Sequence, residues 1–518
     1  MTPARAGFRF GLAALRRLTF VAVGTRVRRT LIVMAAALGV SGTVAVAATP
    51  IPSGLSSPVF AGSRARPQPV RGIPSTPRNR FMAPNGRSEI HNDAWQTDGY
   101  VWDGPLGRSA QTFSASLSGD CGSITFDTRG RIVTICIGLG GPALLMLDPR
   151  TLDTLATFNL PPRQVVRPGA NVFQDFTGGG YFYLDRFNRV VTSTTTHHIW
   201  VIAEAGSSGF RLVRDYSLTR VLSSRENLTS ALPDSNGLLW FVTKTDGVVG
   251  TLNLKAGRIR MVRLGSRSVG EIENSFATGQ NDGVYIATNR KLYRFAADPG
   301  GRPRITWQVR YPNSLEHKPG QVDDGTGTTP TVMAGGYVSI TDNADPMDVV
   351  VYRTAVRLAP HQRRMVCKVP LFNRGASANE NSLIAAGRSM IVENNYGYAD
   401  PSSASGGRLT APGIARIDIN RDGRGCHRVW TNNSVRIPTA VSKLSLANGL
   451  IYTYTKGPGT NDPWYWTAIS FKTGGTVWKR LSGTGVSHDN NYAGIAVAPW
   501  HTAYLGVISG IVALRDGR

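Results

Sequence analysis

Residues 229–259, TSALPDSNGLLWFVTKTDGVVGTLNLKAGRI, contain the pattern that decides the fold. Short apolar segments alternate with turn sequences such as Asp234-Ser235-Asn236-Gly237, and branched or aromatic residues fill the segment after each turn. Apolar runs bounded by Gly, Asn and Asp are typical of β-strands joined by tight hairpins. This stretch therefore predicts consecutive antiparallel strands of one small sheet.

The first half of this pattern occurs eight times along the chain. The repeats begin at Ser123, Tyr181, Thr229, Asn274, Thr329, Asn381, Ser442 and Ala493. Their mean spacing of about 53 residues is close to the length of a propeller blade with one lengthened loop. The chain is therefore predicted to be all-β, a β-propeller of about eight four-stranded blades, with seven blades as the alternative.

The bulk composition agrees with a large β-rich protein. The chain has 518 residues, of which 41% are hydrophobic and 18% charged, so it can bury a sizeable core. Its 58 glycines and 30 prolines favour many tight turns over long helices. The last repeat has only about three strands, so we expect a strand from residues 91–118 to complete it and close the ring.

Two segments, TDGVVGTLNLKAGRI from Thr245 and WTAISFKTGGTVWK from Trp466, resemble the quinoprotein-type repeat. As architecture, the resemblance covers most of residues 115–518. It implies the eight-bladed propeller of quinoprotein alcohol dehydrogenases and their non-enzymatic relatives, but not their chemistry. The sequence lacks the adjacent cysteine pair found beside the quinone in many of these dehydrogenases. Pyrroloquinoline quinone is therefore not the cofactor that we expect.

The amino-terminal region has the pattern of an export signal. Arg26, Arg28 and Arg29 precede the apolar run Leu31 to Ala47, which ends in small residues. Residues 1–48 are thus predicted to be a signal peptide or, if uncleaved, a membrane anchor. Residues 49–87, rich in Pro and Arg, are expected to be a disordered linker, and residues 88–518 a single propeller domain that starts near His91. The protein is accordingly predicted to be exported, either extracellular or in the cell envelope.

The strong positive charge does not indicate a nucleic-acid partner. Thirteen basic residues and one acid lie in residues 1–90, which leaves a net charge of +13 of the total +25 for the remaining 428 residues. That remainder has no run of Lys and Arg interleaved with aromatic residues. We therefore predict no nucleic-acid binding.

The four cysteines of an exported chain are expected to form two disulfides. Cys121 and Cys136 are equidistant from the turn Asp127 to Gly130, so they should face each other across a hairpin. Cys367 then pairs with Cys426.

Polar residues recur in loops that should meet at one mouth of the propeller channel. The loops that enter the innermost strands hold Asp175, Glu226, Glu273, Asn274, Glu380, Asn381, Lys443, His488 and Asp489. The exits of the second strands hold Asp342, Asn343, Glu393 and Asn394. These residues are predicted to form a ligand site, although an acid followed by Asn can also cap a turn between blades.

Two of these residues are the predicted metal ligands. Glu273 and Glu380 each begin a Glu-Asn-Ser triplet at equivalent entrances, and their oxygens suit Ca²⁺ or another divalent cation. Asp418 to Gly423 matches the first half of a calcium loop, but Cys426 and Val429 occupy later ligand positions, so a hairpin turn is expected there. His91, at the start of the folded region, either reaches the mouth or caps a strand.

The sequence leaves three functions open. The first is an exported envelope propeller that binds a small ligand, a glycan or an envelope protein at the channel mouth. The second is a metal-dependent hydrolase or lyase that resembles the lactonase-type propellers. The third is a quinone-dependent oxidoreductase. Serine-hydrolase elbows, phosphate-binding loops and His-Glu-x-x-His zinc helices are absent from the sequence.

Overall fold

Eight antiparallel blades of four strands each form a ring around a central channel, so the predicted eight-bladed propeller is confirmed. The sheet of the seventh blade is extended to six strands by one strand at each edge. The computed structural model describes residues 58–117, 119–138, 140–163, 171–175, 177–206, 209–265 and 267–517. The predicted signal peptide or anchor, residues 1–48, lies outside these ranges. Within them no helix is long and apolar enough to cross a membrane.

Three strands precede the first blade: β1 (Phe60–Gly62), β2 (Gly99–Tyr100) and β3 (Gln111–Ser116). Blade 1 comprises β4 (Asp120–Phe126), β5 (Ile132–Gly138), β6 (Gly141–Leu147) and β7 (Thr154–Asn159). Blade 2 comprises β8 (Phe182–Leu184), β9 (Val190–Ser193), β10 (His198–Glu204) and β11 (Phe210–Ser217). Blade 3 comprises β12 (Leu228–Pro233), β13 (Leu239–Thr243), β14 (Val248–Asn253) and β15 (Arg258–Arg263). Blade 4 comprises β16 (Ala277–Thr278), β17 (Val284–Ala287), β18 (Lys291–Ala297) and β19 (Pro303–Arg310).

The second half of the ring repeats this arrangement. Blade 5 comprises β20 (Thr331–Met333), β21 (Tyr337–Thr341), β22 (Asp348–Arg353) and β23 (Met365–Pro370). Blade 6 comprises β24 (Ile384–Ala386), β25 (Ser389–Glu393), β26 (Ile414–Ile419) and β27 (Cys426–Asn432). Blade 7 comprises β28 (Lys443–Ser445), β29 (Leu450–Lys456), β30 (Pro463–Ser470) and β31 (Thr476–Thr484). Blade 8 begins with β32 (Ala496–Val497), β33 (Thr502–Val507) and β34 (Gly510–Arg515). The described helical structure comprises one α-helical turn, Arg267–Gly270, and the 3₁₀ turns Val172–Gln174, Pro401–Ala404 and Val486–His488.

Burial decreases from the inside to the outside of each blade. In β13 all five residues are buried, because neighbouring blades cover both faces of the sheet. In the outermost strand β15, residues of intermediate burial alternate with exposed arginines along most of its length. Apolar side chains fill the spaces between blades, and the largest cluster includes Trp464, Trp466 and Trp478. The hydrophobic core is therefore a ring of apolar layers between neighbouring blades. The central channel is not part of this core.

The ring is closed as the sequence predicted. β3 pairs in antiparallel register with β34, from Gln111 opposite Arg515 to Ser116 opposite Gly510. It is thus the outermost strand of blade 8, and it covers the edge of β34 that would otherwise be unpaired.

The described part of the predicted linker is bound to the propeller, so that prediction is wrong for residues 58–87. β1 pairs with β31 at the outer edge of blade 7. Farther along, Gln68 N donates to Asn448 O at 2.8 Å and Val70 N to Leu446 O at 2.8 Å. A proline-rich chain has few main-chain donors, but those that remain can pair with main-chain carbonyls elsewhere in the protein. The folded body therefore begins well before His91.

Both predicted disulfides are present. Cys121 and Cys136 join β4 to β5 with a Cα–Cα distance of 4.0 Å. Cys367 and Cys426 join β23 to β27, the outermost strands of blades 5 and 6, with a Cα–Cα distance of 5.7 Å. Two disulfides are typical of proteins that fold in an oxidising compartment. The turn after Asp418 joins β26 to β27, as expected for a hairpin.

Candidate functional site

One end of the channel is filled by residues 82–100, here called the floor segment. Most of its residues are buried, and the segment has little regular structure apart from β2. It crosses the inner edges of several blades, and its main-chain carbonyls accept hydrogen bonds from their innermost strands. The donors and acceptors are Leu184 N to Ser88 O, Thr278 N to Ala94 O, Val332 N to Trp95 O, Ala385 N to Thr97 O and Leu444 N to Asp98 O, all at 2.7–3.0 Å.

These hydrogen bonds explain why this irregular segment takes a fixed path. The innermost strand of each blade has one edge that faces the channel and carries main-chain donors without a partner in its own sheet. Buried N–H groups need acceptors, and the floor segment provides one to each of five blades. Residues 82–100 therefore separate the channel into a filled part and a cavity.

The cavity has a volume of about 640 Å³ and lies at the entrances of the innermost strands. Ile90 and His91 of the floor segment contribute to its lining, together with Asn274, Thr329 and Asn381 from the strand entrances. The rest of the lining includes Asp120, Gly122, Arg163, Phe173, Asp175, Tyr181, Glu380, Ser382, Asn491 and Tyr492. The residues thus come from both the floor segment and the strand entrances.

His91 belongs to a buried polar network beneath the cavity. Its Nδ1 lies 2.7 Å from Ser382 Oγ and 3.2 Å from Asp98 Oδ1. Ser382 Oγ donates to Asp98 Oδ2, and Lys443 Nζ donates to Asp98 Oδ1 and to Ile90 O. The side chains of Asp98 and Lys443 are fully inaccessible to solvent. His91, Asp98, Ser382 and Lys443 are called the floor network below.

The hydrogen bonds of the floor network determine which nitrogen of His91 carries the proton. Ser382 has one hydroxyl proton, and it is donated to the Asp98 carboxylate. Ser382 Oγ can therefore only accept from His91, so Nδ1 must carry the hydrogen. The other nitrogen, Nε2, is buried and has no hydrogen-bond partner among the described residues. It therefore keeps its lone pair, and it is the ring nitrogen that the described residues leave without a partner.

Burial and charge determine the protonation states in the floor network. Burial would raise the pKa of Asp98, but the Lys443 ammonium and His91 outweigh it and hold that pKa below its usual value. Burial lowers the pKa of His91 by more than the Asp98 carboxylate raises it. Asp98 is therefore an anion and His91 a neutral imidazole at neutral pH.

A second polar group lies in the wall from blade 1. Asn491 Nδ2 donates to Asp120 Oδ2 at 3.2 Å, while Asp120 Oδ1 has no partner among the described residues. Burial raises the pKa of Asp120 to about 7. Arg163 donates to Thr177 O at 3.3 Å and to Asp175 O, and burial lowers its pKa. Asp120 can therefore exchange a proton near neutral pH.

The opposite wall contains a hydrogen-bonded chain of three side chains. Tyr181 Oη donates to Asn274 Oδ1 at 2.7 Å, and Asn274 Nδ2 donates to Glu380 Oε1 at 3.4 Å. Burial, and then the nearby charge of Glu273, raise the pKa of Glu380 well above its usual value. Glu380 therefore keeps its proton to a higher pH than an exposed glutamate does.

Four of the thirteen predicted site residues line the cavity: Asp175, Asn274, Glu380 and Asn381. Asn381 Nδ2 donates to Ala440 O at 3.0 Å, which turns its Oδ1 away from that carbonyl, and this oxygen has no partner among the described residues. Asp175 Oδ1 accepts from Thr177 N at 3.0 Å and so caps its own turn.

The structure places the other nine predicted residues outside this cavity, where most of them satisfy main-chain groups. Glu226 accepts from Asp246 N, Asp342 from Ala344 N, and Glu393 from Ser442 N. Asn343 and Asn394 donate to nearby carbonyls, and His488 lies against Thr484 O. Asp489 accepts from Tyr398 Oη, Glu273 pairs with Lys244, and Lys443 belongs to the floor network. Turn capping, the alternative interpretation of the acid–amide pairs, explains most of these positions.

The two predicted metal ligands are held differently. Glu273 forms a 2.7 Å ion pair with Lys244, whereas Glu380 contacts Asn274. Within the described residues, no group of three or more His, Cys, Asp or Glu side chains comes together as in a metal site. A divalent cation between Glu273 and Glu380 stays a prediction, and it would have to replace the Lys244 ion pair.

Several cavity residues were not predicted as site residues. His91 reaches the cavity, while Asp93 two positions later caps the local turn by accepting from Trp95 N at 2.9 Å. Asp120 and Arg163 lie outside the eight repeats, and Tyr181 is the first residue of the second repeat. Their only signal in the sequence is their position just before or just after a predicted strand, which many residues of a propeller share.

Comparisons with known proteins support the fold and leave the family open. No protein-family model matches the sequence. An uncharacterised protein of Archaeoglobus fulgidus is 26% identical over 357 residues, which cover 63% of this chain and 68% of that protein. A europium-containing methanol dehydrogenase structure covers 83% of this chain and 90% of its own at 10% identity, with a TM-score of 0.52. Virginiamycin B lyase from Staphylococcus aureus covers 78% of this chain and 98% of its own at 12% identity, with a TM-score of 0.42. Membership of the quinoprotein-type family therefore stays a prediction.

Proposed function

We propose that this propeller binds a small organic molecule with several hydroxyl or amino groups in its central cavity. The single observation that carries the proposal is a set of five lining side chains, each with a buried polar atom that lacks a partner among the described residues. These atoms are His91 Nε2, Asp120 Oδ1, Asn381 Oδ1, Glu380 Oε2 and Arg163 Nε. Buried polar atoms are normally paired, so a set of five around one cavity indicates a ligand or bound water.

The chemistry of these atoms indicates which ligand groups they fit. His91 Nε2 has a lone pair and no hydrogen, and Asn381 Oδ1 is a carbonyl oxygen, so both accept hydrogen bonds. Asp120 Oδ1 also accepts whenever its carboxyl group is ionised. A ligand that satisfies these three atoms must therefore supply donors, which are hydroxyl or amino groups. Arg163 Nε–H is a donor, and a hydroxyl oxygen of the same ligand can accept from it.

The size and the remaining lining of the cavity fit the same class of ligand. A volume of about 640 Å³ lies within the range of small-molecule sites. Rings of Phe173, Tyr181 and Tyr492 add flat apolar surface beside the polar groups. A sugar-sized molecule combines apolar C–H faces with hydroxyl donors, so it matches both features. The two disulfides support an encounter with this ligand outside the reducing cytoplasm.

The test compares two glycine variants in a ligand-observed NMR screen of a fluorinated fragment library. Gly122 lines the cavity, and a Cβ added there meets no atom within 4 Å. Gly122→Phe should therefore fill part of the cavity without disturbing the sheet. Gly475, in the exposed β30–β31 turn, is the matched control, because its Cβ would meet only a side-chain oxygen at 3.4 Å.

We expect hydroxyl-bearing or amino-bearing fragments to bind the unaltered protein and the Gly475→Phe variant alike. In the Gly122→Phe variant their affinity should fall by about tenfold or more, because part of the space they occupy is filled. Fragments that bind all three proteins equally, or no binding at all, would exclude the cavity as the binding site.

A further inference from the structure

We infer that His91 is the base of this cavity and takes a weakly acidic proton from the bound molecule onto Nε2. This inference rests on the proposed function, because it requires a ligand in the cavity. It goes further in assigning a chemical step to a residue that would otherwise only accept a hydrogen bond.

The first argument is the fixed orientation of the imidazole. Three protein groups hold its Nδ1 side: the Ser382 hydroxyl at 2.7 Å, the Asp98 carboxylate at 3.2 Å and, through that carboxylate, the Lys443 ammonium. The His91 side chain is only 3% exposed, so the ring is also held by packing. A histidine in this setting presents Nε2 in one direction without loss of rotamer freedom on binding.

The second argument concerns the charge that proton transfer would create. When the X–H bond of the ligand breaks, its electron pair stays on X and a new N–H bond forms at Nε2. The positive charge of the imidazolium then lies next to the Asp98 carboxylate, which stabilises it without moving. The proton can return from Nε2 to the product or to water, so the step needs no oxidant, metal or other reactant.

The charged and titratable groups around His91 agree with a neutral base. Asp98 and Glu89 come from the floor segment, Lys443 from β28, and Tyr181 lies with its ring centroid 6.4 Å from that of the imidazole. Burial raises the pKa of Glu89 well above its usual value, which favours the uncharged form of its carboxyl group. The Lys443 charge is compensated by Asp98. His91 is thus the neutral imidazole of the floor network, and its Nε2 has a lone pair that can accept a proton.

The same contacts exclude Ser382 as a nucleophile. In serine hydrolases the serine and the carboxylate contact opposite nitrogens of the histidine, so the imidazole can withdraw the serine proton. Here Ser382 and Asp98 both contact Nδ1, and the serine proton is bound to the carboxylate. Ser382 is therefore a positioning residue, and the reacting nitrogen of the network is Nε2.

The first measurement is nitrogen NMR of the full chain with isotope-labelled histidine, and it reads the protonation of the unaltered protein directly. We expect the His91 signal, assigned by its loss in His91→Gln, to show a neutral ring with the hydrogen on Nδ1. A hydrogen on Nε2, or a charged ring at neutral pH, would overturn the inference. The exposed His361 provides the reference for a histidine without such contacts.

The second measurement uses a nitrobenzisoxazole as a probe of base strength in the cavity. A base removes the ring C–H proton, the N–O bond breaks, and a coloured cyano-nitrophenolate is released. We expect the unaltered protein and the His361→Gln control to accelerate this reaction roughly 100-fold more than His91→Gln does. The rate should fall at acidic pH as His91 becomes protonated.

Two outcomes separate this inference from the proposed function. The Gly122→Phe variant should lose the reaction but keep the His91 NMR signal. It blocks the cavity without changing His91, so the reaction can still be tested if His91→Gln does not fold. If fragments bind the cavity but the unaltered protein and His91→Gln react at equal rates, the binding function stands and the base is excluded. If no fragment binds, the proposed function itself fails.

Discussion

At the scale of single residues, the Asp98–Lys443 ion pair is a fully buried contact of the floor network. Both side chains are fully buried, and the pair connects the floor segment to β28. A buried ion pair contributes little net stability compared with apolar residues, but the loss of one partner leaves an uncompensated charge in the interior. The pair therefore tests whether the floor network is formed as described.

Lys443→Met should lower the free energy of unfolding by about 3–5 kcal/mol, because the Asp98 carboxylate loses its cation. Urea denaturation at neutral pH measures this change. Lys472→Met, at an exposed turn, is the matched control and should change stability by no more than about 0.5 kcal/mol. Similar values for the two variants would contradict the buried pair.

Glu393 provides a pH test, because burial raises its pKa to about 7. The unfolded chain releases this proton near pH 4.3 and the folded chain near pH 7, so its stabilising contribution is complete below about pH 4.3 and is lost as the pH rises through 7. Glu393→Gln keeps the hydrogen-bonding shape but cannot ionise. Relative to the unaltered protein, its free energy of unfolding should rise by about 1.4 kcal/mol per pH unit within this interval. Parallel pH profiles of the two proteins, measured by denaturation, would refute the raised pKa.

The sequence was least informative about these individual residues. Acid–amide pairs such as Glu393 with Asn394 were predicted to meet at the mouth, but they bind nearby main-chain groups instead. Local sequence shows that such a pair is near a turn, but not whether the side chain faces the channel or its own loop. His91 reaches the cavity because of contacts with Ser382 and Lys443, which lie far away in the sequence.

At the scale of structural elements, the two disulfides stabilise the chain over different distances. Cys121 and Cys136 are 15 residues apart in one hairpin, whereas Cys367 and Cys426 are 59 residues apart in two blades. A longer closed loop removes more entropy from the unfolded chain. The pairing of both bridges was predictable, because a hairpin places one pair and the second follows by elimination.

We expect Cys367→Ser with Cys426→Ser to lower the free energy of unfolding by about 4 kcal/mol, and Cys121→Ser with Cys136→Ser by about 3 kcal/mol. Denaturation of the two double variants under identical oxidising conditions gives the comparison. The reverse order would show that strain or residual structure in the unfolded chain outweighs loop length.

At the scale of the whole molecule, the repeats and the non-repeated segments differ in how far they could be predicted. Each blade is encoded locally by strands and turns, so eight repeats in the sequence correspond to eight blades. Residues 58–100 have no repeat, and their positions depend on edges supplied by blades that are distant in sequence. The Pro-rich and Arg-rich composition of this segment predicted a linker. Composition does not show that distant blades offer strand edges to which the segment can bind.

A chain that begins at Gln111 tests the role of the floor segment in the whole ring. It keeps β3 and all eight blades, but it lacks the acceptors for five innermost strands and the Asp98 partner of Lys443. Its free energy of unfolding should be lower by more than about 3 kcal/mol, and it should not bind the cavity fragments. A chain that begins at Asn79 and retains the floor segment is the control, and equal behaviour of the two would refute the role of the floor.

The pairing of β3 with β34 has a consequence for the synthesis of the protein. A ribosome makes β3 before the strands of all eight repeats and makes its partner β34 after them, so the ring cannot close until β34 has been translated. Until then, the nascent chain presents open sheet edges to chaperones and proteases. A prematurely terminated product keeps those edges permanently, and the cell can recognise and degrade it by this feature alone.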